Sequence, residues 1–239
     1  MKVLRVLLLL VLLSGVALLA ALNWVQTPAG AEALSKWLTR QVQETAPGSR
    51  IELEEVRPQW PPAVTFQRAD WIGGDGRPVL VLTRGKVSLR KLQWPVDRFL
   101  WKGAGNVDRL DLAALDRASG KGQWKAAGFM RGKAGIRGKG RRIQDLQLSL
   151  EAEPPGGQLN SEVLSRLAEM MPPGDTRGIL LRALGAKETF HYDVGRLELS
   201  TEKGLYLLNL LLDGDHLLDL KIRFPQDGIK FLKENQLWK

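Results

Sequence analysis

Lys2 and Arg5 precede an uncharged run from Val6 to Leu22, VLLLLVLLSGVALLAAL, and the first acidic residue is Glu32. Its seventeen apolar or small residues make a helix of roughly 25 Å, close to the ~30 Å of a bilayer's hydrocarbon core. Asn23, Trp24 and Val25 extend it, with Trp24 where an interfacial aromatic belongs. The positive end is expected in the cytoplasm and the rest of the chain across the membrane. A cleaved signal peptide is the competing reading, with Ala29-Gly30-Ala31 as its A-x-A-like site, but that site lies beyond the apolar run with Pro28 between. Residues 1–26 are read as anchor or signal segment, and both readings export residues 27–239.

The exported part changes from period 3.6 to period 2. Thr27-Pro28 is a helix start, with Thr as N-cap and Pro at the first helical position. Ala31, Leu34, Leu38 and Val42 then share a stripe with Trp37 and Gln41 beside it, and Pro47-Gly48 ends the helix. Alternation follows: Ile51, Leu53 and Val56 against glutamates, then Val64 and Phe66 against Thr65 and Gln67. Gly73-Gly74-Asp75-Gly76 predicts a turn before a strand at PVLVLTRGKVSLRKL, and Pro58, Pro61 and Pro62 predict an irregular edge. Further strands are expected at Val107–Leu112 and at Ile143–Leu150, where Ile143, Leu146, Leu148 and Leu150 mark the inner face.

Glu153-Pro154-Pro155-Gly156-Gly157 reads as the best break, dividing the exported chain into 27–153 and 154–239. Asn160 or Ser161 caps a short helix with Leu164, Leu167, Ala168 and Met171 on one face; Thr176 opens another through Leu184, with Gly185 as its C′ residue. Antiparallel strands complete the chain. Lys203-Gly204 and Asp213-Gly214 are the expected turns, Asp-Gly being a strong two-residue hairpin signal. On the return strand Leu218, Leu220, Ile222 and Phe224 oppose Asp219, Lys221 and Arg223. The outgoing LYLLNLLL is apolar on both faces at seven of its eight residues. One face must pack on something such as the short helices, while the other enters a second layer or lines an apolar groove. The fold class expected is α+β, mainly antiparallel β: a membrane helix, then a curved sheet with an amphipathic helix and short helices on it.

Charge is unevenly placed. The formal net charge is +9, yet residues 119–142 alone hold Lys121, Lys125, Arg131, Lys133, Arg137, Lys139, Arg141 and Arg142 and no acid. With Trp124 and Phe129 interleaved, this stretch has nucleic-acid-binding composition, but no nucleic acid is expected behind an export segment. It fits contact with anionic headgroups or the membrane surface, and equally a solvated pair of strands with Trp124, Ala126 and Gly128 alternating with Lys125 and Ala127.

Catalytic chemistry has little to work with. There is no cysteine, and the two histidines are His191 and His216, so thiolate chemistry, cysteine zinc sites and multi-histidine metal centres are excluded. No phosphate-loop, dinucleotide, nucleophile-elbow or H-E-x-x-H pattern occurs. Glu52, Glu54 and Glu55 read as solvent-facing strand residues, Asp213 and Asp215 as turn residues beside His216, and His191 as a half-exposed strand residue. Neither an enzyme nor a cofactor is expected.

The order of elements resembles the AsmA-like family of bacterial envelope proteins: a membrane helix, TPAGAEALSKWL, the charged strand IELEEV, a proline-marked strand and WIGGDGRPVLVLTRGKVSLRKL. GGQLNSEVLSRLAEMM followed by FHYDVGRLELSTEKGLYLLNLLLDG is similar to the C-terminal part of AsmA/YdbH-type members. The resemblance implies a β-sheet groove, apolar inside, anchored in the inner membrane and exposed to the periplasm, working in phospholipid transport or outer-membrane biogenesis. The chain is several times shorter than typical members, which favours a single cradle, a homo-oligomer or a part of a larger machine. Leu205, Leu207, Leu208, Leu210, Leu211, Leu212, Leu218, Leu220 and Ile222 are the expected acyl-chain lining, with phospholipid as partner and the basic residues at the headgroup or membrane surface. The alternative is a non-enzymatic scaffold or accessory subunit of an envelope or type II secretion complex, for which component N of that system is a short relative.

Overall fold

A computed structural model describes residues 27–43, 47–59, 63–91, 100–118, 124–139, 142–171, 173–185 and 188–225. The expected membrane segment at 6–22 lies outside them; no described helix is long and apolar enough to cross a membrane. Within them the chain is mainly antiparallel β. Helix α1 (Pro28–Gln43) leads into β1 (Arg50–Glu54), β2 (Arg57–Gln59), β3 (Ala63–Ile72), β4 (Pro78–Lys91) and β5 (Leu100–Asp111). After α2 (Leu112–Ala118) come β6 (Ala127–Lys139) and β7 (Arg142–Asn160), then α3 (Ser161–Glu169) and α4 (Asp175–Gly185). Strands β8 (Thr189–Glu202), β9 (Leu205–Gly214) and β10 (Leu218–Pro225) complete it. The strands form one open ten-stranded sheet in the order β1-β3-β4-β5-β6-β7-β8-β9-β10, with the short proline-bearing β2 paired to β3 alone.

Local chemistry sets most of these elements. Thr27 Oγ1 accepts from Gly30 N–H at 3.1 Å, the cap expected for α1. Asn160 Oδ1 accepts from Glu162 N–H at 2.9 Å and caps α3. The Gly73–Gly76 turn closes with Gly73 N–H to the Arg77 carbonyl and Gly76 N–H to the Gly73 carbonyl, both 2.9 Å. Lys203 (φ 49°) and Gly204 (φ 81°) turn β8 into β9 with both central residues left-handed, as a tight two-residue hairpin requires. Helix α2 was not expected. Asp111 Oδ1 accepts from Ala114 N–H at 2.9 Å, and the LAAL run behind that cap ends β5 at Asp111 and leaves Leu112 in the helix.

Two expectations are corrected. The Pro154-Pro155-Gly156-Gly157 break lies within β7, which pairs with β6 and β8 on both sides of it. Its register jumps between Glu151 and Gly157, so the prolines occupy a bulge, where a missing N–H leaves no ladder bond unmade. The Asp213-Gly214 turn is displaced as well: β9 continues through Gly214, which pairs with Tyr192, and β10 starts at Leu218 opposite Leu212. Gly214 serves close approach, since a Cβ there would lie 2.3 Å from the His191 carbonyl oxygen. The reversal is anchored instead by Asp215, whose N–H donates to the His191 carbonyl and whose carboxylate accepts from His191 N–H, each at 3.0 Å.

The main core lies where α3 and α4 cover the last strands. Leu164, Ala168, Leu180 and Leu184 of the helices meet Phe190, Tyr192, Leu210, Leu212, Leu218, Leu220 and Ile222. Leu220 is 0% exposed, so Leu220→Ala should cost about 3 kcal/mol of stability through the cavity it leaves. Leu207→Ala, on the other face of the same hairpin, should cost about 1 kcal/mol or less; denaturant unfolding of the two variants checks the assignment of faces.

Candidate functional site

Directly opposed residues of neighbouring strands project from the same face of a sheet. Reading the register across the molecule, Leu53, Ala69, Leu82, Val107, Gly132, Leu150, Leu197, Leu210 and Leu220 stand opposite one another in turn from β1 to β10. This row contains no polar side chain. The adjacent row through Glu54, Arg68, Thr83, Asn106, Lys133, Ser149, Glu198, Asn209 and Lys221 contains no apolar one. At these two rows the sheet is amphipathic from β1 to β10, although the second face also carries apolar residues elsewhere, Val81 of β4 among them at 6% exposure.

The apolar face is not uniformly covered. Beneath α3 and α4 it is closed core, and a smaller cluster of Val107, Met130 and Leu150 packs with Leu80, Leu82, Leu110 and Leu112 near α2. Toward the opposite end of the strands lie Leu199, Leu146, Ile136, Val87 and Val64, which belong to neither cluster; Val87 is 44% exposed. Small residues widen this part: Ala134 pairs with Gly105, and Ile136 with Gly103. A Cβ on Gly103 would come within 3.0 Å of Ile136 Cγ2, so glycine there keeps the surface low. At the end of the strands Lys91, Leu100, Lys139 and Arg142 form the last row in register. Alternation along β6 places Lys139 with Arg131, Lys133 and Arg137 on the polar face, and the apolar face ends instead at the opposed pair Trp101 and Gly138.

The nine expected lining residues divide between the faces. Leu208, Leu210, Leu212, Leu218, Leu220 and Ile222 lie on the apolar face. All but Leu208 are buried, at 6% exposure or less, under or beside the short helices. Leu205, Leu207 and Leu211 lie on the other face, opposite Pro225, Arg223 and Asp219 of β10. In a run apolar on both faces, alternation could not reveal which leucines pointed inward; the register does.

Nor does the sheet bring the basic residues to the lining. Arg131 and Lys133 are exposed on β6 opposite Glu151 and Ser149, on the polar face. Arg137 Nε donates to Asp145 Oδ2 at 2.8 Å on that face. Lys125 pairs with Glu188 at the far end, beside a cleft lined by Asn160, Ser161, Glu162 and Ser165; the ammonium holds the Glu188 carboxyl below its ordinary range. Lys139 is exposed at the end row, Arg142 stands there in the strand, and Lys121 and Arg141 fall outside the described residues. The spacing held a signal for this division: Arg131, Lys133 and Arg137 alternate with Met130, Gly132, Ala134 and Ile136, a half-buried strand whose inner face is mostly too small to register as hydrophobic.

Two other features frame the site. Asp116 is 5% exposed and accepts from Trp124 N–H at 3.1 Å, fixing the entry into β6. Among the described residues no three His, Asp or Glu side chains gather as metal ligands; His191 and His216 are exposed. Comparison with family models, with curated proteins and with solved structures finds no match.

Tyr192, 2% exposed beneath Gly157 and Gly195, has its phenol pushed up from 10.0 to about 12 by burial. A raised acid pKa means that the neutral phenol contributes stability fully present below about 10 and lost as pH rises through about 12. Ultraviolet titration should therefore show the Tyr192 phenolate appearing only near pH 12. Unfolding free energy should fall across that alkaline window, and Tyr192→Phe should flatten the fall.

Proposed function

We propose that this chain is a non-enzymatic, membrane-anchored envelope protein of the AsmA-like kind. It holds phospholipid acyl chains against the partly exposed apolar face of a curved sheet, in lipid transport or outer-membrane biogenesis. The observation that carries this reading is the uninterrupted apolar row, with a partly exposed apolar portion beside it at Val87, Ile136, Leu146 and Leu199. Acyl chains ask for no hydrogen bonds. Each methylene removed from water contributes about 0.8 kcal/mol, so rows without polar side chains suit them. The exposed cations Arg131, Lys133 and Lys139 lie on the opposite face, where each is worth about 1 kcal/mol near an anionic membrane surface. The apolar run at 6–22 and the resemblance in element order support the same placement at the inner membrane.

The lining in this reading is Ile136, Leu146, Leu148 and Leu199 together with Val64 and Val87, rather than the leucines sealed beneath α3 and α4. Leu210→Glu would place a carboxylate in closed core and unfold the C-terminal half. The informative change is Ile136→Glu, at a partly exposed position. Phospholipid copurifying with the full chain should fall at least about fivefold in this variant, with circular dichroism unchanged. A photo-crosslinking residue at Leu199 in native membranes should give a lipid adduct and the same residue at Ser200, on the other face, should not. A dominant protein adduct at Leu199 would overturn the lipid reading in favour of an accessory subunit of an envelope or secretion complex.

A further inference from the structure

The cations of β6 belong to a wider array on the polar face. Opposed positions run Lys86, Ala104, Gly135 and Gln147 in one row, and Ser88, Lys102, Arg137 and Asp145 in the next. Asn106, Lys133 and Ser149 form the row before them. Lys86, Lys102, Arg131, Lys133 and Lys139 are all exposed. They come from three neighbouring strands that are almost free of acid: β4 and β6 contain none, and β5 has none before Asp108. Lys86 and Lys102 are remote from the β6 cations in sequence, and only the register brings them together.

Ion pairs divide this face. On β7, Asp145 pairs with Arg137 and Glu151 with Arg196, and on β3 Asp70 pairs with Arg68. Lys102, Arg131, Lys133 and Lys139 have no ion pair among the described residues. The Lys86 ammonium donates to the neutral Gln59 side-chain oxygen at 3.1 Å. Those bordering acids are therefore matched in place, while five cations stand uncompensated and repel one another. We infer that the polar face of β4 to β6 is a docking surface for an anionic bilayer, on which the sheet lies with its apolar face turned away.

The shape of the array favours a planar partner. It extends about 10 Å across three strands and about 20 Å along β6 from Lys133 to Lys139, which is more than one phosphate group fills. Ala104, Gly135 and Ser149 keep the floor between the cations low. Four of the five cations are lysine, whose point charge suits a diffuse layer of headgroups, whereas bidentate capture of one phosphate favours arginine. A nucleic-acid strand would ask for stacking platforms, and these rows contain no aromatic side chain. The apolar run at 6–22 has the length of a bilayer core, and helix α1 follows it closely. That helix is fastened to the sheet at β1, where Ile51 N–H donates to Thr39 Oγ1 at 2.9 Å and the hydroxyl donates back to the Ile51 carbonyl at 3.5 Å. The inference rests on the anchored placement proposed above, but not on lipid held by the apolar face.

The test uses the full chain in nanodiscs. The sequence has no cysteine, so Gln147→Cys carries a single fluorophore on the polar face and Val87→Cys a single one on the apolar face. Phospholipid with a nitroxide on its headgroup quenches fluorophores near the bilayer surface. In discs of phosphatidylglycerol with phosphatidylcholine, the label at Gln147→Cys should be quenched several-fold more than the label at Val87→Cys. Raised salt, or discs of phosphatidylcholine alone, should abolish that difference. Lys102→Gln with Lys133→Gln should lower the docked-to-free ratio about 25-fold, two charges at about fivefold each. Equal quenching of the two labels, stronger quenching at Val87→Cys, or quenching indifferent to salt and to phosphatidylglycerol would each overturn the inference. A photo-crosslinker at Gln147 that captures one dominant protein in native membranes would overturn it in favour of an acidic protein partner. Copurifying lipid is measured on the same preparations, so a failure of the apolar-face reading leaves the quenching in place, and a failure here leaves the lipid. Salt and disc composition decide the matter if the lysine variants fail to fold.

Discussion

The structure depends on the strand register. Side chains on a strand alternate between faces with period two, so a slip of one residue anywhere in the meander would carry Leu150 or Val107 into water and Lys133 into the core. Nine strands keep the alignment from Leu53 to Leu220. Where the chain carries extra residues, bulges absorb them: Arg84 in β4, at φ 50°, lies within a register shift against β5, and the proline pair falls within the β7 shift. Beyond each bulge the apolar positions resume on the same face.

Burial varies along that face because the helices are short. Helices α3 and α4 bring Leu164, Ala168, Leu180 and Leu184 over the C-terminal strands and seal them, while α2 reaches the neighbourhood of Leu80 and Leu110. The remaining rows contain leucine, isoleucine and valine but also Gly103, Gly105 and Ala134, which leave little side chain to fill the space above them. Cations and apolar surface lie back to back on β6. Arg131, Lys133 and Lys139 therefore project away from anything held on the apolar face.

Much of the chain was legible before any coordinates. Caps and tight turns depend on one or two residues, and Thr27, Asn160, Gly73–Gly76 and Lys203-Gly204 act as their chemistry predicts. The alternation of Leu218, Leu220 and Ile222 with Asp219, Lys221 and Arg223 fixed their faces correctly. What failed depended on partners distant in sequence. Asp-Gly at 213–214 promises a turn, but Gly214 is held beside Tyr192 by β8, and Asp215 takes over the reversal. Pro154-Pro155 looks like a boundary until β6 and β8 are seen pairing on both sides of it. Leu205 to Leu212 carries no internal mark of its inner face, since both alternating sets are apolar. For the site, the residue types were legible and their distribution was not: the leucines named first are mostly sealed, and the partly exposed surface comes from β3 to β8.

Thr39 has a consequence for stoichiometry. A sheet with two bare borders is a polymer subunit, because each addition regenerates an acceptor and growth has no natural end. Helix α1 occupies one border of this one through a single hydroxyl on Ile51. Strand addition at β1 would first have to displace that hydroxyl, so growth from this side is blocked.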